Sequence, residues 1–165
     1  MKKEIEQKVS SLIENQQSLL LSTIDNQHNS QTYSSYAPYF CDVKEGAFYV
    51  LLSGLAEHTQ NLIDQPRASM LIIEDESKSE QIFARVRVQY EIRAEMVLDV
   101  EIQRQVFHKM KERFGEVVDV LQSLSDFNVF RLSPIKGRYI EGFGKAISID
   151  DGMIGGLSPV MQSTR

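Results

Sequence analysis

Apolar residues recur along this chain at two spacings, and each switch between them marks a change of element. Ile5, Val9, Leu12 and Ile13 repeat at helical spacing. This predicts an amphipathic helix over 2–16 that lies on something apolar as a lid or brace. SLLLSTID is rich in strand formers, DNQHNS supplies the Asp, Asn and Ser of a turn, and QTYSSYAPYFCDV is a second strand, so the three predict a hairpin. Pro38 removes a backbone donor from that second strand, which favours an edge or a bulge over a sheet centre. KEG then turns the chain into the strand AFYVLLS.

A short polar helix is expected over 55–64, closed before Pro66 because the residue preceding a proline leaves helical dihedrals. RASMLIIED is the next strand, DESKSEQ a loop, and IFARVRVQYEIRAEMV an alternating strand with one wet or ligand-facing side. Helical spacing returns over 99–114, Gly115 interrupts it, and EVVDVLQSLSD forms a second short helix. FNVFRLS, GRYIEGF and KAISI complete the strands, with PIKG between the first two expected as a turn. Six or seven strands with flanking helices predict a mainly β fold, a small antiparallel barrel. The expected organisation is an N-terminal helix over 1–17, a barrel over 18–149 with a helical insertion at 97–125, and a tail over 150–165. That tail is rich in Gly, Ser and polar residues, so it is expected to be loosely ordered unless it docks on a partner subunit.

Composition narrows the function classes. The 165 residues, 42% apolar and 25% charged, suit one domain with its own core. A formal net charge of −5 argues against a broad nucleic-acid footprint, which needs clustered Lys and Arg. No stretch approaches the ~20 apolar residues of a membrane span. The single cysteine, Cys41, and the charged N-terminus MKKEIEQKVSSLIENQ predict a reducing cytoplasmic location.

Motif chemistry is mostly negative: the chain contains no Walker A loop, no GxGxxG after a strand, no HExxH and no GxSxG. GFGKA is too short and too late for a dinucleotide fingerprint and is expected at a strand bend. His28 falls in a turn and His108 on a charged helix face, both expected to be solvated. His58 sits in the first turns of the helix after a strand, where unpaired backbone donors attract anions, so it is either an anion contact or a surface histidine. Arg85 and Arg87 are expected on one strand face, either gripping a carboxylate or phosphate or paired with neighbouring acids.

Several segments together resemble a known group: SSYAPY, FYVLLSGLAEHTQNLIDQPRASMLIIEDE, IFARVRV, ERFGE and FRLSPIKGRYIEGFGKA. They are similar to the haem-utilisation branch (HugZ and HutZ type) of the pyridoxamine 5'-phosphate oxidase-like, FMN-binding split-barrel superfamily. The resemblance runs over 18–146, and HTQNL, with PRAS behind it, is its most specific part. It implies a split β-barrel homodimer that holds ligand in the subunit interface, the ligand in this branch being haem, bound or oxidatively opened to release iron. On that resemblance the cofactor-binding residues are His58, Asn61, Arg85, Arg87, Ser35 and Tyr36, with the arginines toward the propionates and His58 as a fallback iron ligand.

Two departures accompany the resemblance. Flavin enzymes of the superfamily hold the FMN phosphate with Arg and Lys on the second strand and at the start of the short helix, where this chain has SSYAPYF and AEHTQN, with only His58 able to carry charge. The haem branch takes its axial ligand from a histidine in the C-terminal tail, and this tail has none, offering only Met153 and Met161 as soft donors. The acid that assists the tail histidine falls at Asp119 or Asp126. A haem-utilisation protein is the leading expectation, and whether it retains oxygenase chemistry stays open. An FMN-dependent oxidoreductase with Ser34 to Tyr36 facing the flavin ring, and a non-catalytic dimeric binding module, are the alternatives.

Overall fold

In the computed structural model, which describes residues 2–160, eight strands form one antiparallel sheet in the order β3-β2-β1-β4-β5-β6-β7-β8, and β3 also pairs with β6. The strands are β1 (Ser18–Asp25), β2 (Gln31–Asp42), β3 (Ala47–Ser53), β4 (Arg67–Ile73), β5 (Arg87–Met96), β6 (Phe127–Gly142), β7 (Lys145–Ile149) and β8 (Ser158–Pro159). The β3–β6 pairing closes six strands into a ring, and β7 and β8 extend from the far half of β6. The mainly β, split-barrel class expected from the sequence is therefore the class observed.

The helices are α1 (Lys2–Asn15), α2 (Glu57–Asp64), α3 (Val100–Phe114) and α4 (Val117–Ser123). Helix α1 buries Ile5, Val9, Leu12 and Ile13, the four residues whose spacing predicted it. Tyr39 of β2 donates its hydroxyl to the Ile13 carbonyl at 2.5 Å, fastening the end of α1 to the ring. Inside the ring, alternate residues such as Leu19, Leu21, Tyr39, Phe48, Val50, Ile72, Val88, Tyr90 and Leu132 make the main core. Helices α3 and α4 cover the outer side of β3, where Tyr49, Leu51, Val106, Met110, Val118 and Val129 form a second cluster. Both clusters follow from period-2 strands: β3 is buried on both faces, so its run is continuously apolar.

The hairpin forms with its turn in DNQHNS, where Asn29 and Ser30 take positive φ. Pro38 lies at the last register position of the β1–β2 ladder, just before the β2–β3 ladder begins at Tyr39, so its missing donor interrupts little.

Three local expectations are corrected. PIKG is not a turn: β6 runs unbroken through it, with Pro134 opposite Ile92 and Lys136 opposite Glu91, so Ile135 is the extra residue of a bulge. The strand expected from Ile82 starts at Arg87, because Ile82–Ala84 form a 3-10 turn. The tail is not loose over its described part: Met153 is 5% exposed, its carbonyl accepts the Tyr90 hydroxyl at 2.7 Å, and Ile154 and Leu157 pack on the core. Met161 lies outside the described residues.

Gly137 shows how close the ring walls approach. A Cβ there would lie 2.5 Å from both the Gln89 carbonyl oxygen and the Tyr90 ring. Only a hydrogen side chain lets Tyr90 lie across β6.

Candidate functional site

Helix α2 is positioned by the turn before it, residues 53–56, and by its own buried face. The Ser53 hydroxyl donates to Asp126 Oδ2 at 2.6 Å, and the Gly54 amide donates to the Asp126 carbonyl at 2.6 Å. Thr59 donates its hydroxyl back to the Ser53 carbonyl at 2.6 Å. Asn61 is buried and donates to the Thr23 hydroxyl of β1 at 3.0 Å, while Leu62 enters the main core. These bonds hold α2 over one end of the ring.

That placement brings His58 to Ser35. The His58 Nδ1 lies 2.9 Å from the Ser35 Oγ of β2, and burial lowers the imidazole pKa, which favours the neutral ring. Ala56, the N-cap of α2, offers no side-chain cap to the helix start next to His58. Of the expected contacts, His58, Ser35 and Asn61 therefore share one end of the ring, with Asn61 serving the packing of α2.

Tyr36 does not join them, because neighbouring strand residues point to opposite faces. Ser35 is paired with buried Leu21 and faces inward, whereas Tyr36 is 65% exposed on the outer face. The expectation that 34–36 present one surface to a ligand is corrected on that ground.

Arg85 and Arg87 also do not act as one pair on a strand face. Arg85 precedes β5, donates Nε to the Glu74 carbonyl at 3.2 Å and sends Nη2 to the same oxygen, and its Nη1 meets Glu76 Oε1 at 3.2 Å. It holds the 74–85 loop together. Arg87 begins β5 on the outer side, since Val88 points inward, and donates to the Arg85 carbonyl at 2.9 Å. In register, Arg87 pairs with Ile73, whereas Ser35 lines up through Leu21 with Met70. The two groups lie on the order of 10 Å apart along the strands and about three strands apart across them.

The outer face of β1, β4, β5, β6 and β7 carries a cleft of about 660 Å³ that reading the sequence missed. Ser22, Ser69, Gln89, Glu91, Lys136 and Arg138 line it, with Glu91 held between Lys136 at 3.1 Å and Arg67 at 3.5 Å. The signal was present: Lys136 and Arg138 alternate along β6 as Gln89 and Glu91 do along β5. Taking PIKG for a turn hid it. Beside the cleft, Leu20 is 48% exposed and lies between Tyr36 and Leu71 in register.

The remaining titratable groups separate cleanly. His28 is mostly exposed and bonds Asp25 Oδ2 at 2.6 Å in the hairpin turn, and His108 pairs with Glu112 on the surface of α3. Asp119 is tied to Lys111 at 2.6 Å on the helical pair, so of the two acids only Asp126 lies beside α2. Cys41 is held in the core with its Sγ 3.6 Å from Met153 Sδ, and burial pushes the thiol pKa up to about 12. Among the described residues no cluster of three or more His, Cys, Asp or Glu is arranged for a metal ion, and no helix is long and apolar enough to cross a membrane.

Comparison with known proteins places the chain as a whole. A family described as "Pyridoxamine 5'-phosphate oxidase" matches residues 5–141. The chain is 40% identical over 146 residues to "Heme oxygenase HutZ" of Vibrio cholerae, an alignment covering 88% of this chain and 81% of that one. Among solved structures, HutZ of Vibrio cholerae, described as a heme storage protein, superposes with a TM-score of 0.72 at 38% identity, covering 78% of this chain and 89% of that chain. Campylobacter jejuni ChuZ has a TM-score of 0.82 at 24% identity over 98% of this chain and 67% of its own, which shows the shared fold. The chain belongs to the pyridoxamine 5'-phosphate oxidase family, in the branch that contains HutZ.

Proposed function

We propose that this protein binds haem for haem utilisation, at the interface of a homodimer formed by the outer sheet face. The observation that carries the reading is the 40% identity to a protein described as a heme oxygenase, over 88% of this chain. The face fits two of the three parts of haem. Leu20 and Tyr36, both exposed, with Leu71 in register beside Leu20, offer apolar and aromatic surface to the macrocycle. Arg87 and Arg138 offer guanidinium groups to propionates, the contact for which Arg suits a planar carboxylate best. Arg85 supports Arg87 through its carbonyl and serves as a loop anchor rather than a ligand contact.

The iron-binding part is the least supplied. Among the described residues His58 turns its Nδ1 to the inward-facing Ser35 and not to the face of Leu20 and Tyr36, and Met153 is committed to the core beside Cys41. The relative carries two descriptions, oxygenase and storage protein. Haem when bound would supply the iron and oxygen chemistry; the chain's contribution is to orient it and exclude water.

The test is hemin titration of the purified protein, monitored at the Soret band, with sedimentation to report the dimer. A saturable Soret band weakened at least tenfold in affinity by Arg87→Ala supports the reading. A featureless titration sinks it. Bilin absorbance after adding a reductant and oxygen would separate cleavage from storage.

A second reading rests on the uncapped start of α2. With His58 meeting Ser35 next to that start, this is the place where a flavin phosphate would sit in an FMN-dependent oxidoreductase. Flavin bands near ~450 nm in the purified protein, lost in Ser35→Ala, would select it. Failure to bind either haem or FMN would point instead to a non-catalytic dimeric binding module.

A further inference from the structure

A separate cavity of about 290 Å³ lies between α3 and the β2–β3 hairpin. It shares no lining residue with the outer cleft, and neither His58 nor Ser35 lines it. Its sheet wall is aromatic and acidic. Phe40 and Tyr49 are partners in the β2–β3 register, their rings lie 20° from parallel with centroids 6.2 Å apart, and both line the cavity together with Asp42 and Glu45. The two acids are held in place. Asp42 Oδ1 accepts the amides of Lys44 and Glu45 at 3.0 and 3.1 Å, and Glu45 Oε2 accepts the Tyr49 hydroxyl at 2.7 Å. Burial, with Glu45 alongside, pushes the Tyr49 phenol up to about 12, so it stays a donor at neutral pH.

Arg131 pairs with the same Glu45 oxygen only loosely, at 3.8 Å. The other oxygens, Asp42 Oδ2 and Glu45 Oε1, have no hydrogen-bond or ion-pair partner among the described residues. The helix wall is apolar at Ile102 and Val106 and basic at its rim, where His108 and Lys109 also line the cavity. Both of those are engaged by one carboxylate that does not line it: Glu112 lies 2.9 Å from Lys109 Nζ and 3.2 Å from His108 Nε2. The uncompensated charge at the cavity is therefore negative.

We propose that this cavity binds a small organic monocation, an ammonium or amidinium carried on one flat ring or a short apolar chain, with its charge toward Asp42 and Glu45 and its body against Phe40, Tyr49, Ile102 and Val106. Carboxylates set on an aromatic wall select a cation over a neutral molecule of the same shape, because aromatic faces attract positive charge and the carboxylates pair with it. An anion would meet the two acids. Size decides against a tetrapyrrole, since the cavity is at the lower limit of ligand pockets and takes about one ring. The aromatic and apolar lining offers a metal ion too few donors. The inference is independent of the haem reading.

The test is a titration of the full, isotope-labelled chain with phenethylamine, followed by backbone amide shifts, with phenylacetate and phenethyl alcohol as anionic and neutral molecules of similar size. Expected are saturable shifts within 40–49 and 102–109, binding of the amine at least tenfold tighter than of either match, and weakening in salt. Glu45→Gln should weaken the amine about fivefold, and Lys109→Ala, which removes a competing positive charge from the exposed rim, should tighten it. Misfolding cannot produce a tightening. Equal binding of the alcohol, tighter binding of phenylacetate, or shifts confined to other parts of the chain overturns the proposal. So does the absence of saturable shifts at millimolar amine, or an affinity untouched by both variants.

Discussion

The Nδ1 of His58 and the Oγ of Ser35, 23 residues apart in sequence, meet at 2.9 Å where α2 meets β2. Neither residue is remarkable alone; the pairing follows from the packing of α2 through Thr59, Asn61 and Leu62. Burial lowers the His58 pKa, so the folded chain binds this proton less readily than the unfolded chain does. The sign follows by linkage: stability is full above the ordinary histidine pKa of about 6.5 and falls as pH drops below it. Urea unfolding midpoints at pH 5 and pH 8 should differ in that direction, and His58→Gln should reduce the difference. An unchanged difference in His58→Gln would assign the pH effect to other groups.

Asn61 should be the costliest of the six expected site residues to truncate. Its amide donates to Thr23, whose side chain lies in a residue only 1% exposed, and removal leaves that hydroxyl buried without its donor. Asn61→Ala is expected to lose about 1–3 kcal/mol of stability. Tyr36→Ala, on the open face, should change stability little and report on ligand or dimer instead. Thermal melts of the two variants compare them directly.

Gly137→Ala tests the contact between β5 and β6. The added methyl would sit 2.5 Å from a backbone oxygen of Gln89, which cannot rotate away. A loss of about 1–3 kcal/mol or more is expected, with the strands forced apart. A melt within error of the parent would show that the ring wall yields more readily than its geometry indicates.

Cys41 should be silent toward thiol reagents in the native protein. Burial pushes its pKa up to about 12, leaving almost no thiolate at pH 8. Ellman's reagent is expected to react slowly with the folded chain and at once in denaturant. Rapid native reaction would mean that the Met153 segment opens readily.

Arg85 and Arg87 should separate by phenotype. Arg85→Ala removes the bonds to Glu74 and Glu76 and is expected to lower the melting temperature through the 74–85 loop. Arg87→Ala should leave the melt nearly unchanged and lower hemin affinity, measured in the same preparations.

Much of the fold was readable from periodicity. The four buried residues of α1, the β1–β2 hairpin, the helix expected over 55–64 and the α3–α4 pair all follow from local spacing, because burial on one face imposes 3.6- or 2-residue repeats on the chain itself. The bulge at Ile135 was not readable, since Pro and Gly in PIKG carry the same local signal whether the chain reverses or merely kinks. Nor was the docking of Met153, which depends on the Tyr90 hydroxyl 63 residues away.

For the site, the sequence by itself determined the family, through HTQNL and the strands around it, and singled out His58 as the histidine worth following. Tertiary structure alone decided what each side chain can do. It set Ser35 inward with His58 and Tyr36 outward, tied Arg85 into a loop, and placed Lys136 and Arg138 along a cleft shared by five strands. The physical reason is that residue type is a local property, whereas the face a residue occupies depends on strand register, and register is fixed only when distant strands pair and the ring closes.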